Sequence, residues 1–181
     1  MLNNNLLLVK GHKFHVRMFV VWVPRKLILM HWDGLVFIAN NVYDNTSSNK
    51  EDICTNHAIH HQTNMPSLSE VFICNELVLS NLQSMLDDLG TRMESQANFS
   101  RSINDFGFYA LDVLFTKNMI PQITEINFRP DMSVDWGFNI KLDAVCELLS
   151  YLAVDNIRPQ HVLEKKFENN DEKNTILNCK V

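Results

Sequence analysis

Three side chains with oxygen ligands stand at a spacing that a β-hairpin brings together. Asp112 lies inside an apolar strand pattern, and Glu125 and Asn127 lie two residues apart on the next pattern, so they share one face of that strand. With a turn near residues 117–118, Asp112 comes opposite or diagonal to Glu125, within roughly 5 to 8 Å. Two carboxylates and an amide oxygen suit a hard divalent cation such as Mg²⁺. Ordinary polar residues on a solvated strand face give the same pattern, and spacing alone does not separate the two interpretations.

The segment 14–23 predicts a first strand with one polar patch. It is almost entirely β-branched, aromatic or otherwise apolar. His15 and Arg17 share one parity, whereas Val16, Met18 and Val20 share the other. We therefore expect His15 and Arg17 on the face that carries the carboxylates, and the three apolar residues under helices.

Hydrophobic periodicity supplies the other strands. Two apolar runs, 27–32 and 35–39, flank the pair Asp33 and Gly34, which is typical of hairpin turns, so a β-meander is predicted. Strand patterns at 106–115 and 119–127 form the hairpin that contains Asp112.

Two helices complete the pattern. Ser67 and Glu70 form a capping box, and apolar residues then recur at helical spacing until Gly90, after which residues 91–105 predict a loop. A second helix is predicted over 140–154. Its core face is expected to consist of Leu142, Val145, Cys146, Leu148, Leu149 and Leu152. The order of three strands, a helix, two strands and a helix predicts an α+β fold, with an antiparallel sheet and helices packed on one face.

Composition excludes several classes of protein. The chain has 181 residues, with 16 Lys and Arg against 21 Asp and Glu, a net charge of −5. This length fits one domain, and the lack of clustered basic residues argues against nucleic-acid contact. The longest apolar stretch is interrupted at Pro24, so no membrane contact is expected. Four widely separated cysteines without a C-x-x-C pair favour a reduced protein in the cytoplasm.

These motifs, taken in order, resemble the C-terminal half of the ATP-grasp domain of tubulin-tyrosine ligase-like proteins. Residues 13–17, 54–56, 112 and 125–127 follow the order of that family's K-F-D-I-R strand, L-T-N motif and D…E-x-N pair. The resemblance covers about residues 6–155. It implies that 1–158 is the C-terminal portion of a partial ATP-grasp domain, and the charged stretch 159–181 is expected to form a frayed tail.

The resemblance implies a role for each matching residue. Lys13 and Arg17 are expected to reach ATP phosphates or an acyl-phosphate intermediate, with Arg17 as the catalytic residue. Thr55 and Asn56 are expected to line the nucleotide site. The Mg²⁺ ligands are expected to be Asp112, Glu125 and Asn127. Such ligases phosphorylate a carboxylate and then let an amine attack it, so metal and basic side chains must offset charge on the transferring phosphoryl group.

Departures from the family pattern bear on activity. His15 replaces the aspartate of the K-F-D-I-R strand, so an imidazole stands where the family has a carboxylate. The ordinary ligases carry an arginine on the following strand, where this chain has Val36, Phe37 and Ile38. By the resemblance, the chain also begins after the family's adenine-binding hinge and further phosphate-binding lysines, and no glycine-rich phosphate loop replaces them.

Three functions are compatible with these observations. The first is a pseudoligase or regulatory module with a degenerate ATP and Mg²⁺ site. The second is an active ligase that adds an amino acid to a carboxylate of tubulin or another protein, which requires a complete upstream sequence. The third is a gene-model fragment without an independent role.

Several other residues admit both a functional and a structural interpretation. His57, His60 and His61 have the spacing of one helical face and could bind zinc or copper, although a polar helix start or loop gives the same pattern. Cys54 could be a nucleophile or a small core residue. Arg129 could face a phosphate or a glutamate-rich tail, or it could cap its own loop. The tryptophans favour core packing, and they are Trp22, Trp32 and Trp136.

Overall fold

A computed structural model describes residues 5–46, 65–72, 76–96, 106–133, 137–153 and 160–167. It contains a five-stranded antiparallel sheet in the order β4-β3-β1-β2-β5. The strands are β1 (His12–Val23), β2 (Leu27–Val42), β3 (Gly107–Phe115), β4 (Pro121–Asn127) and β5 (Val162–Lys166). The helices are α1 (Leu68–Val71), α2 (Glu76–Gln96) and α3 (Phe138–Ala153). The predicted α+β class with an antiparallel sheet is confirmed.

The central strand β1 is apolar on both faces, and helices cover both. Val16, Met18 and Val20 pack in a core with α1 and α2, as their parity predicts. Phe19 and Val21 point the other way, into a second core that contains residues of α3. The expectation of helices on one face is corrected here, because a strand that is apolar on both parities must be buried on both sides.

Strand β2 is continuous through Asp33 and Gly34, so the predicted turn of a β-meander is wrong. The register with β1 shifts between Arg17 and Phe19, which marks a bulge. Gly34 lies in this bulge, where a Cβ atom would collide with the backbone carbonyl of Arg17. The Asp33 carboxylate accepts hydrogen bonds at 2.7 Å from both the backbone N–H and the hydroxyl of Ser69. The pair therefore allows close strand approach and anchors α1.

The helix predicted from Ser67 to Gly90 is divided in two. The capping box is present, since Ser67 Oγ accepts from the Glu70 N–H and the Glu70 carboxylate accepts from the Ser67 N–H at 2.7 Å. Phe72 is extended, however, and the second helix begins at Glu76. The helix continues past Gly90, so this glycine does not end it. Gly90 instead lets α2 pack closely on β2, since a Cβ would lie 2.9 Å from the Ile28 side chain. The predicted loop is thus helical through residue 96.

The core face of α3 differs from the predicted one. Its buried residues are Lys141, Ala144 and Leu148. Leu142 and Leu149, both expected in the core, are each 45% exposed, and Cys146 is exposed as well. Periodicity could not separate the two stripes because both are spaced as helix faces, and a buried lysine is not expected from composition.

Part of the segment predicted as a tail belongs to the sheet. Strand β5 pairs with β2 from Leu27 to His31. Lys165, which the sequence suggested to be a solvated charge, donates from Nζ to the Asp87 carbonyl and the Thr91 hydroxyl at 2.8 Å. The ammonium group therefore binds the middle of α2, and its aliphatic stem lies along the helix.

Candidate active site

A bidentate ion pair between Arg17 and Asp112 lies at the centre of the candidate site. The two residues are direct partners in the register of β1 and β3. Arg17 Nε donates to Asp112 Oδ1 at 2.7 Å, and a terminal guanidinium nitrogen donates to Oδ2 at 2.8 Å. Asp112 is buried, with 7% of its surface exposed. Fork-to-fork geometry of this kind is the strongest form of a charged hydrogen bond.

The β3–β4 hairpin brings the other two predicted oxygen donors to Asp112. Asp112 pairs directly with Glu125, and the register then shifts, which leaves Thr124 as the extra residue of a bulge. The Thr124 hydroxyl donates to the Asp112 carbonyl at 2.9 Å and fixes this bulge. Asn127 Nδ2 lies 3.4 Å from Asp112 Oδ2. The predicted hairpin is confirmed, with Glu125 at the exposed edge of the cluster.

The parity predicted for β1 also holds, and it places His15 beside the ion pair. His15 Nε2 lies 3.9 Å from Asp112 Oδ1, and the imidazole stacks on Phe37 with ring centres 4.6 Å apart. The guanidinium carbon of Arg17 lies 5.3 Å from the centre of the same Phe37 ring. Phe37 thus forms an apolar wall for both side chains, and its contact with Arg17 is of the cation–π kind.

Burial decides the charge of His15. Removal from water, opposed by the charge of Asp112, lowers the pKa of His15 to about 4, with Arg17 and Lys13 acting in the same direction as burial. The ring is therefore neutral at pH 7. For Arg17, burial lowers the pKa, but the hydrogen bond and charge of Asp112, together with Glu125 and Asp131, raise the pKa overall.

Two residues near the site carry charge that the sequence did not point to. The Asp131 carboxylate accepts from the Ser133 N–H at 2.8 Å, which lowers its pKa despite some burial, helped by the Ser133 hydroxyl, Lys141 and Arg17. Lys141 is almost fully buried in α3, and its Nζ donates to the Ser133 carbonyl at 2.9 Å. Lys141 shares a helix face with Ala144 and Leu148, but the sequence alone does not distinguish this face from the more apolar one.

The oxygen donors of Asp112, Glu125 and Asn127 fit a hard divalent cation, although Asp112 would be shared between the cation and Arg17. An ionised carboxylate offers about four lone-pair positions, and Arg17 occupies one on each oxygen of Asp112. Glu125 is exposed and its carboxylate remains accessible. Glu125 and Asn127 are thus the more accessible donors, and Asp112 would ligate through the lone pairs that Arg17 leaves open.

The remaining predicted site residues stand differently. Lys13 lies two residues before His15 on the same strand, close enough for its charge to act on the imidazole. Thr55 and Asn56 lie outside the described residues, as do Cys54, Trp136 and the three histidines of 57–61. Trp22 and Trp32 are buried, as predicted for core residues. The assigned binding and catalytic roles remain predictions.

Comparison with known proteins identifies the family. The model of the Tubulin-tyrosine ligase family matches residues 4–144, which include most of the chain and the whole Arg17–Asp112 site. The chain therefore belongs to the tubulin-tyrosine ligase family. Its α+β sheet is consistent with a partial ATP-grasp-like domain of this family, whose members generally use ATP and Mg²⁺ and act on tubulin or other proteins. No curated protein matches the chain. Within the described segments, no helix is long and apolar enough to cross a membrane.

Proposed function

We propose that this chain is a pseudoligase or regulatory module of the tubulin-tyrosine ligase family, with a degenerate site for ATP and Mg²⁺. The observation that carries this proposal is the engagement of Arg17. Its Nε and one terminal nitrogen donate to Asp112, and its guanidinium lies against Phe37. Phosphoryl transfer requires cationic donors directed at the phosphate oxygens, and this cation is directed at a carboxylate instead.

Two replacements near Arg17 support the same proposal. The neutral His15 occupies the position where the family motif has an aspartate. Phe37 and its neighbours occupy the stretch where the ordinary ligases carry an arginine, so an apolar ring stands against the site. The two changes remove a carboxylate and a guanidinium from the set that would bind metal and phosphate.

We further infer that the chain belongs to the divergent branch represented by tubulin-tyrosine ligase-like protein 12. The amino-acid sequences at 108–112 and 120–131 are more similar to that protein than to the ordinary ligases. We place the protein in the cytoplasm, with tubulin or another protein as its partner.

An active ligase is the second candidate function. It is favoured by one observation: Asp112, Glu125 and Asn127 converge, with Arg17 on the same face. In that case the carboxylates and the amide would hold Mg²⁺, which supplies charge neutralisation on the phosphates. Arg17 and Lys13 would orient the phosphate groups, and the apolar Phe37 wall would exclude water from them.

Calorimetric titration of the full chain with Mg-ATP tests the proposal. We expect binding no tighter than about millimolar, because one metal donor is engaged by Arg17 and a phosphate clamp is absent. Glu125→Gln is the matched variant, since Glu125 is exposed and its loss disturbs no packing. Micromolar binding that Glu125→Gln abolishes would contradict the degenerate site and favour the ligase.

A further inference from the structure

A second cluster of ligand-type side chains lies away from the Arg17–Asp112 pair. His31 comes from β2, Glu147 from α3, and His161 from the residue before β5. One ligand atom of each residue lies within 4.8 Å of the other two. Glu147 and His161 lie beyond residues 4–144, the part that matches the family model. Only His31 therefore lies within the region that matches the family model.

Backbone contacts hold the three residues in place. The Trp32 N–H donates to the His161 carbonyl at 2.9 Å, and His31 pairs with Val162 in the β2–β5 ladder. The His161 N–H donates to Glu147 Oε2 at 3.2 Å, and His161 Nδ1 lies 3.1 Å from Oε1. A sheet ladder and a helix thus fix the relative positions of the ligands, which favours a preorganised site.

His31 is the unusual member of this cluster. It is 2% exposed, and among the described residues neither ring nitrogen has a hydrogen-bond partner. The nearest carboxylate oxygen, Glu147 Oε2, is 3.7 Å from Nε2. Buried polar groups without a partner are rare unless an ion or water satisfies them. A metal ion would satisfy the ring nitrogen that carries the lone pair.

The charges around the cluster favour a cation. Glu147 contributes a carboxylate to the cluster itself, with Oε2 3.7 Å from His31 Nε2. Asp33 and Asp143 add negative charge that acts on His31. The side chains of Glu147 and His161 are about a quarter exposed, which leaves a path from solvent.

We propose that His31, Glu147 and His161 bind a Zn²⁺ ion, with the fourth position taken by water. Two imidazoles and one carboxylate form a known zinc ligand set with an open position. Bonds of about 2.0–2.1 Å in tetrahedral geometry place ligand atoms about 3.3 Å apart, so atoms that now lie within 4.8 Å of one another would approach by up to about 1.5 Å on binding. The ion would join β2, α3 and the start of β5.

Zinc titration of the metal-stripped full chain, in competition with a chromophoric chelator, tests this site. We expect one equivalent of Zn²⁺ to bind with submicromolar affinity and to raise the Tm. His161→Ala and Glu147→Gln are partly exposed positions, and each should weaken binding at least about 10-fold, the smallest loss seen even for residues that only orient a ligand. Circular dichroism of the metal-free variants checks that they fold.

Two control variants separate this site from His12 and from the three histidines of 57–61. The triple variant H57A/H60A/H61A and the single variant His12→Gln should both retain wild-type affinity. Replacement of Zn²⁺ by Co²⁺ should give the intense visible absorption of a tetrahedral ion in the wild type and not in His161→Ala. The proposal is overturned if the chain binds no Zn²⁺, if His161→Ala leaves the affinity unchanged, or if the triple variant abolishes binding.

Discussion

The Arg17–Asp112 pair is the strongest single interaction of the candidate site, and its removal tests how far the fold depends on it. Arg17→Ala leaves a carboxylate of 7% exposure without its cation, so we expect the free energy of unfolding to fall by about 3 kcal/mol. Urea denaturation measures this change.

An exposed pair in α2 provides the matched control. Arg92 and Asp88 form a salt bridge at 2.9 Å, but their side chains are 72% and 63% exposed. Arg92→Ala should cost about 0.5 kcal/mol or less, because solvent screens the pair. Equal effects of the two substitutions would show that burial does not strengthen the Arg17 interaction.

His15 makes the stability of the protein depend on pH. Its pKa is about 4 when folded against 6.5 when unfolded, so between these values the unfolded chain binds more protons. The free energy of unfolding is therefore highest above pH 6.5 and falls as pH decreases toward 4. From pH 8 to pH 5 we expect a loss of about 2 kcal/mol from this residue.

Denaturation curves of wild type and His15→Phe at several pH values isolate that contribution. Phenylalanine keeps an aromatic ring against Phe37 but cannot take up a proton. Other titrating groups, including His31, affect both proteins alike, so the difference in slope belongs to His15. Parallel pH dependences of the two proteins would mean that His15 does not resist protonation.

At the scale of the elements, Gly34 and Gly90 are placed where close packing, and not a turn, needs a residue without a side chain. Gly34→Ala should destabilise the protein by about 2 kcal/mol or more, because the new methyl group meets the backbone of Arg17, which cannot move aside. Gly90→Ala should change stability by no more than about 1 kcal/mol. There the methyl meets side chains of Ile28 and Lys165, and higher helix propensity offsets the contact.

Thermal and urea unfolding of the two alanine variants, each with the same added group, check this difference. The Gly34 variant should also weaken the bulge that positions Arg17. A Gly34→Ala protein as stable as wild type would indicate that β1 and β2 do not approach each other as closely as the structure has them.

Local chemistry in the sequence was sufficient for some elements. The capping box at Ser67, the hairpin around residue 118 and the parity of β1 follow from spacing within a few residues, and all three are present. The turn predicted at Asp33 and Gly34 is absent because the same residues suit a turn and a bulge. Only the pairing partner distinguishes these, and Arg17 is distant in sequence.

The candidate site shows the same division at the level of side chains. Asp112, Glu125 and Arg17 could be predicted because strand alternation places them on one face. The bidentate Arg17–Asp112 contact and the Phe37 wall could not, since they depend on the register of β1 with both neighbours. The His31 cluster does not follow from spacing, because His31 is more than a hundred residues from Glu147 and His161 and reaches them only through β5 pairing and the packing of α3.

For the whole molecule, the arrangement separates two polar clusters on one antiparallel sheet. Helix α3 contributes to both, with Lys141 near the Arg17–Asp112 site and Glu147 in the histidine cluster. The six-residue step from Lys141 to Glu147 corresponds to about 9 Å along the helix axis. The region that matches the family model contains the whole Arg17–Asp112 site but only His31 of the histidine cluster. Variants of one cluster can therefore be tested without changing the other.

The most direct test of the pseudoligase proposal is ATP-dependent incorporation of radiolabelled amino acids into tubulin by the full chain. We predict no incorporation above that of Glu125→Ala, because Arg17 is hydrogen-bonded to Asp112 and packed against the apolar ring of Phe37. Incorporation by the wild type that requires ATP and is lost in Glu125→Ala would contradict the account and establish an active ligase.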